Sequence, residues 1–251
     1  MLKSIFSAVL LVASLVAGAQ PKTLSVGWEE YPPIQISDTG DTQGIDIEIV
    51  RALLKTAGYA IIFQKLPWQR QLMRLEHGDL DIAIAASITE DRKPYAEWTD
   101  TYRIEQTVLW GLDSGAPRVK NLRSLLGAKS RIGYLRGSTF PGEFAELVKN
   151  PQFEKLLYPV NGIKQALGMM RAGRLEYVIE DMSTFNYLLA NSPGRQVVGI
   201  LNINADDLHF MVSKKTIEKD PTLISKLNAA LAQLIKSKEI ESILVKYGSK
   251  S

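Results

Sequence analysis

The residues best suited to chemistry sit together in Ala85-Ala86-Ser87-Ile88-Thr89-Glu90-Asp91-Arg92, where an apolar run ends in small and hydroxyl side chains. Open α/β sheets bind ligands at strand carboxyl ends, and a helix N-terminus there favours an anion. A helical turn starting near Thr89 lets the planar fork of Arg92 grip a carboxylate while Ser87 donates a hydroxyl hydrogen bond. The plainer reading, which spacing alone favours, makes Thr89 an N-cap and Arg92 a solvated helix residue.

Two more segments have the same placement. Gly137-Ser138-Thr139 follows a strand-like run at 131–135, and Asp181 follows another at 177–179. Hydroxyls from Ser138 and Thr139 and the Asp181 carboxylate can then face Arg92 across a cleft, with Asp181 pairing an ammonium. A simple turn and a helix N-cap account for these residues equally well. Strand alternation turns Glu180 away from whatever Asp181 faces. Tyr31 and Trp68 each follow a strand-like run and can wall the apolar part of a ligand, or pack beneath loops. Glu29 and Glu30 are neighbours on an extended segment and point apart, so they form no acid and base pair. If the cleft holds an acid, it is Glu180 or Glu29. Arg70 either reaches the cleft or lies solvated on a helix. His77 and His209 in a chain without cysteine make no metal cluster, so no metal, cofactor or catalytic constellation is expected.

These side chains need a scaffold, and the pattern supplies one of strands alternating with helices, an α/β architecture. Strand-like runs at 24–27, 60–64 and 81–86 alternate with helical patterns at 46–56 and 67–75. A strand at 107–111 leads to a polar stretch at 113–117, where the chain crosses to a second series: 131–134, 142–149, 163–172 and 177–179. A strand at 208–212 and helical patterns at 221–235 and 238–247 return to the first lobe. The expected division is 20–111 with 208–251 for one lobe and 112–207 for the other. Lys3, the apolar run 5–16, Ala17 and Ala19 read as a signal peptide over 1–19. No later run approaches the ~20 apolar residues of a membrane span, and there is no cysteine to lipidate, so the mature chain is expected to be exported without membrane insertion. The net charge of +3 comes from 30 basic and 27 acidic residues that are interspersed, which argues against a nucleic-acid partner.

Leu24-Ser25-Val26-Gly27 with Tyr31-Pro32-Pro33, Gly44-Ile45-Asp46-Ile47-Glu48, Trp68, Gly78-Asp79-Leu80-Asp81 and Ser87 to Arg92, followed by Gly137-Ser138-Thr139 and Asp181, occur in an order that resembles one family. It is the bacterial extracellular solute-binding proteins (family 3) of polar amino-acid uptake, the glutamine- and histidine-binding group. The resemblance implies a type II periplasmic-binding-protein fold, two α/β lobes joined by hinge strands near Trp110 and near 205–209. It implies that Arg92, with Ser87 and the backbone near Ala85, holds an α-carboxylate, that Asp181 holds the α-ammonium, and that Tyr31 and Trp68 wall the side chain. The implied protein is a periplasmic monomer that captures a small amino acid or related amino-carboxylate for the permease of an ABC transporter. Two segments depart from the family pattern: Trp98-Thr99-Asp100-Thr101-Tyr102-Arg103 and Pro67-Trp68-Gln69-Arg70. Two other functions suit the same scaffold. One is an enzyme resembling the cyclohexadienyl dehydratases, with a cleft carboxylic acid of raised pKa as proton donor. The other is a periplasmic sensor acting through a separate receptor.

Overall fold

The computed structural model describes residues 21–38, 41–113 and 119–247. The proposed signal peptide, and most of the polar stretch at 113–117, lie outside the described residues. The first half runs β1 (Thr23–Trp28), β2 (Ile36–Asp38), β3 (Asp41–Gln43), α1 (Ile45–Thr56), β4 (Ala60–Lys65), α2 (Trp68–His77), β5 (Ile82–Ala86), β6 (Ala96–Trp98) and β7 (Arg103–Leu112). The second runs β8 (Ile132–Leu135), α3 (Glu143–Leu147), α4 (Pro151–Glu154), β9 (Leu157–Val160), α5 (Ile163–Arg171), β10 (Tyr177–Asp181) and α6 (Met182–Ala190). The chain ends with β11 (Val197–Ser213), α7 (Lys214–Lys219), α8 (Leu223–Lys236) and α9 (Glu239–Lys246).

Among the described residues, one curled sheet runs in the order β4-β1-β5-β11-β7-β10-β8-β9, with β6 beside β11. Strands β4, β1 and β5 are parallel, as are β10, β8 and β9. Strands of this kind are covered on both faces, which explains the unbroken apolar run of β5. Ile82 and Ile84 enter a core beneath α1 and α8, while Ala83 and Ala86 pack with Leu75 and Leu80 on the other face. A separate set of cores, centred on Trp110, Val178 and Phe185 and on Phe144, Phe153 and Tyr177, lies under α3 to α6. These separate cores make two lobes. Helices α8 and α9 return to the first one through Leu223, Leu227, Leu231 and Ile240.

The strands joining the lobes are longer than sequence patterning suggests. β11 is a single 17-residue strand, although only its end, 208–212, reads as one. Its first part carries Asn202, Asn204, Asp206 and Asp207, and two register shifts against β7 break the alternation that a pattern search needs. β7 begins at Arg103, whose Nε and Nη2 bond to the Asp46 carboxylate at 2.7 and 3.0 Å. This buried bidentate pair fastens the start of β7 to α1 in the first lobe. Trp110, expected near the hinge, packs instead within the second lobe, its ring 4.9 Å from that of Phe185. Among the described residues no helix is long and apolar enough to cross a membrane.

Candidate functional site

Between the lobes lies a cavity of about 70 Å³, several times the ~10–15 Å³ that one water needs. The first lobe brings Glu29, Tyr31, Gln35, Trp68, Gln71, Ala85, Ser87 and Arg92 to it, the second Leu135, Ser138, Thr139, Phe140 and Glu180, and strand β7 contributes Glu105. Of the eight residues singled out in the sequence, seven line this cavity: Tyr31, Trp68, Ala85, Ser87, Arg92, Ser138 and Thr139.

The end of β5 explains how the first lobe presents its groups. Ala83 pairs with Met211 and Ala86 with His209, so Ile84 and Ala85 together oppose Phe210 alone, a β-bulge. Ala85 takes φ +58° within it, a left-handed conformation that costs a non-glycine residue about 1 kcal/mol or more. The bulge re-aims the backbone at Ala85 and the segment leading to Ser87.

Arg92 is 3% exposed. Its Nη2 donates across the cleft to the Gly137 carbonyl at 3.0 Å, and its Nη1 reaches the Ser87 carbonyl at 3.4 Å. Nε has no hydrogen-bond partner. Burial pulls the guanidinium below its ordinary pKa, so the site holds a cation that lacks a full set of acceptors. The Trp68 ring lies under it, 5.4 Å from ring centroid to Cζ, and Trp68 Nε1 donates to the same Gly137 carbonyl at 3.2 Å. Gly137, at φ +84°, turns that carbonyl towards the first lobe.

Glu29 accepts the backbone N–H of Trp68 at 2.9 Å, capping α2 where its own N-cap residue, Pro67, has no acceptor side chain. Burial raises its carboxyl to about 7 in spite of that hydrogen bond. Glu180 is 3% exposed and accepts the N–H of Asp181 at 2.8 Å; burial first, then the charges of Asp181 and Glu29, push it well above the carboxylate range. The half-buried Glu105 is raised to about 8, by burial and then by the charge of Asp181.

Asp181 stands at the same strand end as Glu180 but is not among the residues lining the cavity. Its Oδ1 accepts the N–H of Thr184 at 2.8 Å and caps α6, and the carboxyl that lines the cavity from this strand end belongs to Glu180. Alternation does separate the two side chains, but Asp-Met-Ser-Thr at the start of an apolar helical run is also an N-cap signature, and one oxygen of Asp181 serves that cap. Glu105 escaped notice because it sits in a strand whose polar half carries no apolar period.

The chain matches the family model of the bacterial extracellular solute-binding proteins, family 3, over residues 24–250. It is 25% identical over 228 residues to a probable histidine-binding protein of Neisseria gonorrhoeae, covering 88% of this chain and 81% of that one. The fold matches the arginine-, lysine-, histidine-binding protein ArtJ from Geobacillus stearothermophilus with a TM-score of 0.76 at 22% identity, covering 92% and 97% of the two chains. It also matches AncCDT-1, an ancestral amino acid-binding protein and precursor of cyclohexadienyl dehydratase, with a TM-score of 0.72 at 22% identity over 90% and 95%. The two-lobed fold, the cavity between its lobes and the match along nearly the whole described chain agree: this protein belongs to the bacterial extracellular solute-binding proteins, family 3.

Proposed function

We propose that the protein captures an amino acid in the inter-lobe cleft and presents it to the permease of an ABC transporter. The observation that carries this reading is Arg92, a buried guanidinium with an unpartnered Nε inside a cavity that both lobes line. An α-carboxylate supplies the missing acceptors, and the hydroxyls of Ser87, Ser138 and Thr139 stand at the same cavity. The α-ammonium falls to a carboxyl group of the opposite wall. Closure about β7 and β11 buries the solute, and no bond is made or broken. The histidine-binding relative and the ArtJ fold support an amino acid over other small solutes. The test is thermal unfolding against a panel of amino acids and other small carboxylates, since a ligand of the folded state raises the midpoint. A rise with amino acids that Arg92→Ala abolishes supports the proposal; equal rises in parent and variant reject the role of Arg92.

The raised carboxyls of Glu29 and Glu180 favour one second reading, a dehydratase in which a protonated glutamic acid gives its proton to a leaving hydroxyl. Incubation with prephenate decides it. Formation of phenylpyruvate establishes the enzyme, and an unchanged substrate removes it.

A further inference from the structure

The two strands that join the lobes carry different residues on their two faces. Along the outer face Ile104, Gln106, Ala205 and Asp207 are exposed. Along the inner face Glu105 stands directly opposite Asp206, and Thr107 stands between Asn204 of β11 and Asp181 of β10. Residues opposed in this way keep their Cβ atoms about 5 Å apart on one face, so three carboxyls, an amide and a hydroxyl crowd a short stretch of the ribbon. Of these five, Glu105 lines the cavity.

The inner face leaves several polar atoms unsatisfied. Thr107 is 1% exposed and its Oγ1 has no partner, and Asn204 Nδ2 and Asp206 Oδ2 are buried without one as well. Unpaired buried groups are costly, and two carboxylates directly opposed across a ladder repel. A proton on Glu105 relieves both conditions: it removes one charge and gives Asp206 Oδ2 a donor. Opening the cleft relieves them in another way, by letting water reach the ribbon. In the structure the lobes meet, since Arg92 and Trp68 both donate to the Gly137 carbonyl across the cleft.

We propose that Glu105 and Asp206 form a proton-operated hinge: a proton shared between them favours the closed lobes, and its loss favours the open ones. Burial first, then the charge of Asp181, raises the Glu105 carboxyl from 4.5 to about 8 in the closed arrangement. Water admitted on opening weakens the larger cause, so the proton is bound more tightly closed than open. The resulting preference for closure is fully present below the value Glu105 has in the open form, and is lost as pH rises through about 8. Other charged groups facing the pair set the position of this change and not its direction. Arg103 favours ionised Glu105 but is bound to Asp46, whose charge acts oppositely; Asp181 adds negative charge, and the charge of Asp206 also reaches Arg92. Glu29 and Glu180, raised by the same burial, add to the trend.

The chain has no cysteine, so Lys55→Cys and Lys149→Cys, exposed on the first and second lobes, place a dye pair for single-molecule energy transfer. The full chain is measured without added solute at about pH 6.5, 7.5 and 8.5. The ratio of closed to open molecules should fall at least about fivefold across that range. In Glu105→Gln the fall should be at least about threefold smaller, whatever Glu29 and Glu180 contribute. If that variant does not fold, Asp206→Asn decides: removing a charge that raises Glu105 should move the midpoint of the fall to lower pH. A ratio independent of pH, a fall in Glu105→Gln equal to the parent's, or an unmoved midpoint in Asp206→Asn overturns the hinge. Each of these results leaves the amino-acid reading of the cleft untouched.

Discussion

Replacing Glu29 by Gln removes a carboxyl that burial holds at about 7, against 4.5 in an open chain. Because the folded state binds this proton more tightly, the stability it contributes is fully present below about pH 4.5, falls as pH rises, and is gone above about pH 7. The separation, 7 minus 4.5, is about 2.5 units, which at about 1.4 kcal/mol each is worth about 3 kcal/mol as an upper figure. Gln retains an oxygen to accept the Trp68 N–H, so the cap on α2 survives while the ionisation does not. Glu29→Gln should match the parent near pH 4.5 and exceed it by up to about 3 kcal/mol at pH 8. Urea unfolding followed by tryptophan fluorescence at about pH 4.5, 6 and 8 measures the gap. A gap constant across that range would refute the reasoning, since Glu29 would then ionise as readily in the folded chain as in the unfolded one.

Arg103→Ala strands the fully buried Asp46 carboxylate and should cost about 3–5 kcal/mol in chemical denaturation; a loss below about 1 kcal/mol would show that the pair is not holding β7 to α1. Asp181→Ala should cost about 1 kcal/mol through the lost cap of α6, and Asp181→Asn almost nothing. An Asn variant of unchanged stability that loses amino-acid binding would return Asp181 to the ligand. Gly137→Ala places a Cβ at a left-handed backbone position and 3.4 Å from Trp68 Cδ1. It should destabilise the protein by about 1 kcal/mol and weaken ligand affinity in a thermal-shift titration, and an unaltered affinity would mean the Gly137 carbonyl plays no part in closing the cleft.

How much of this was legible in the sequence differed from residue to residue, for identifiable reasons. The approach to Arg92 was readable because a strand buried on both faces is an unbroken apolar run, and β5 ends in the small and hydroxyl residues that open the site. Ser138 and Thr139 were readable by the same rule at the end of β8. Alternation separates Glu180 from Asp181, but pattern alone does not say which carboxylate at a strand end lines the cleft and which caps the next helix. Glu29 caps α2 from a distant element, a contact with no local signature. The Ala85 bulge is set by the partner strand β11, and nothing in Ile82-Ala83-Ile84-Ala85-Ala86 announces it. The first part of β11 was missed because its hydrogen bonds to β7 come from the backbone while its polar side chains and shifts of register hide the period.

The pairing of β7 with β11 has a mechanical consequence. The described chain passes from lobe to lobe along these two strands, and they are bonded to each other across the passage, from Leu208 with Arg103 to Val197 with Leu112. The link is thus a single ribbon. A two-stranded ribbon twists and bends readily but cannot lengthen without breaking its ladder. The lobes therefore have few relative motions open to them, a swing and a twist about one line, with neither sliding nor separation. A solute entering the cleft spends little of its binding free energy on choosing among relative positions of the lobes, because the ribbon has already removed most of them.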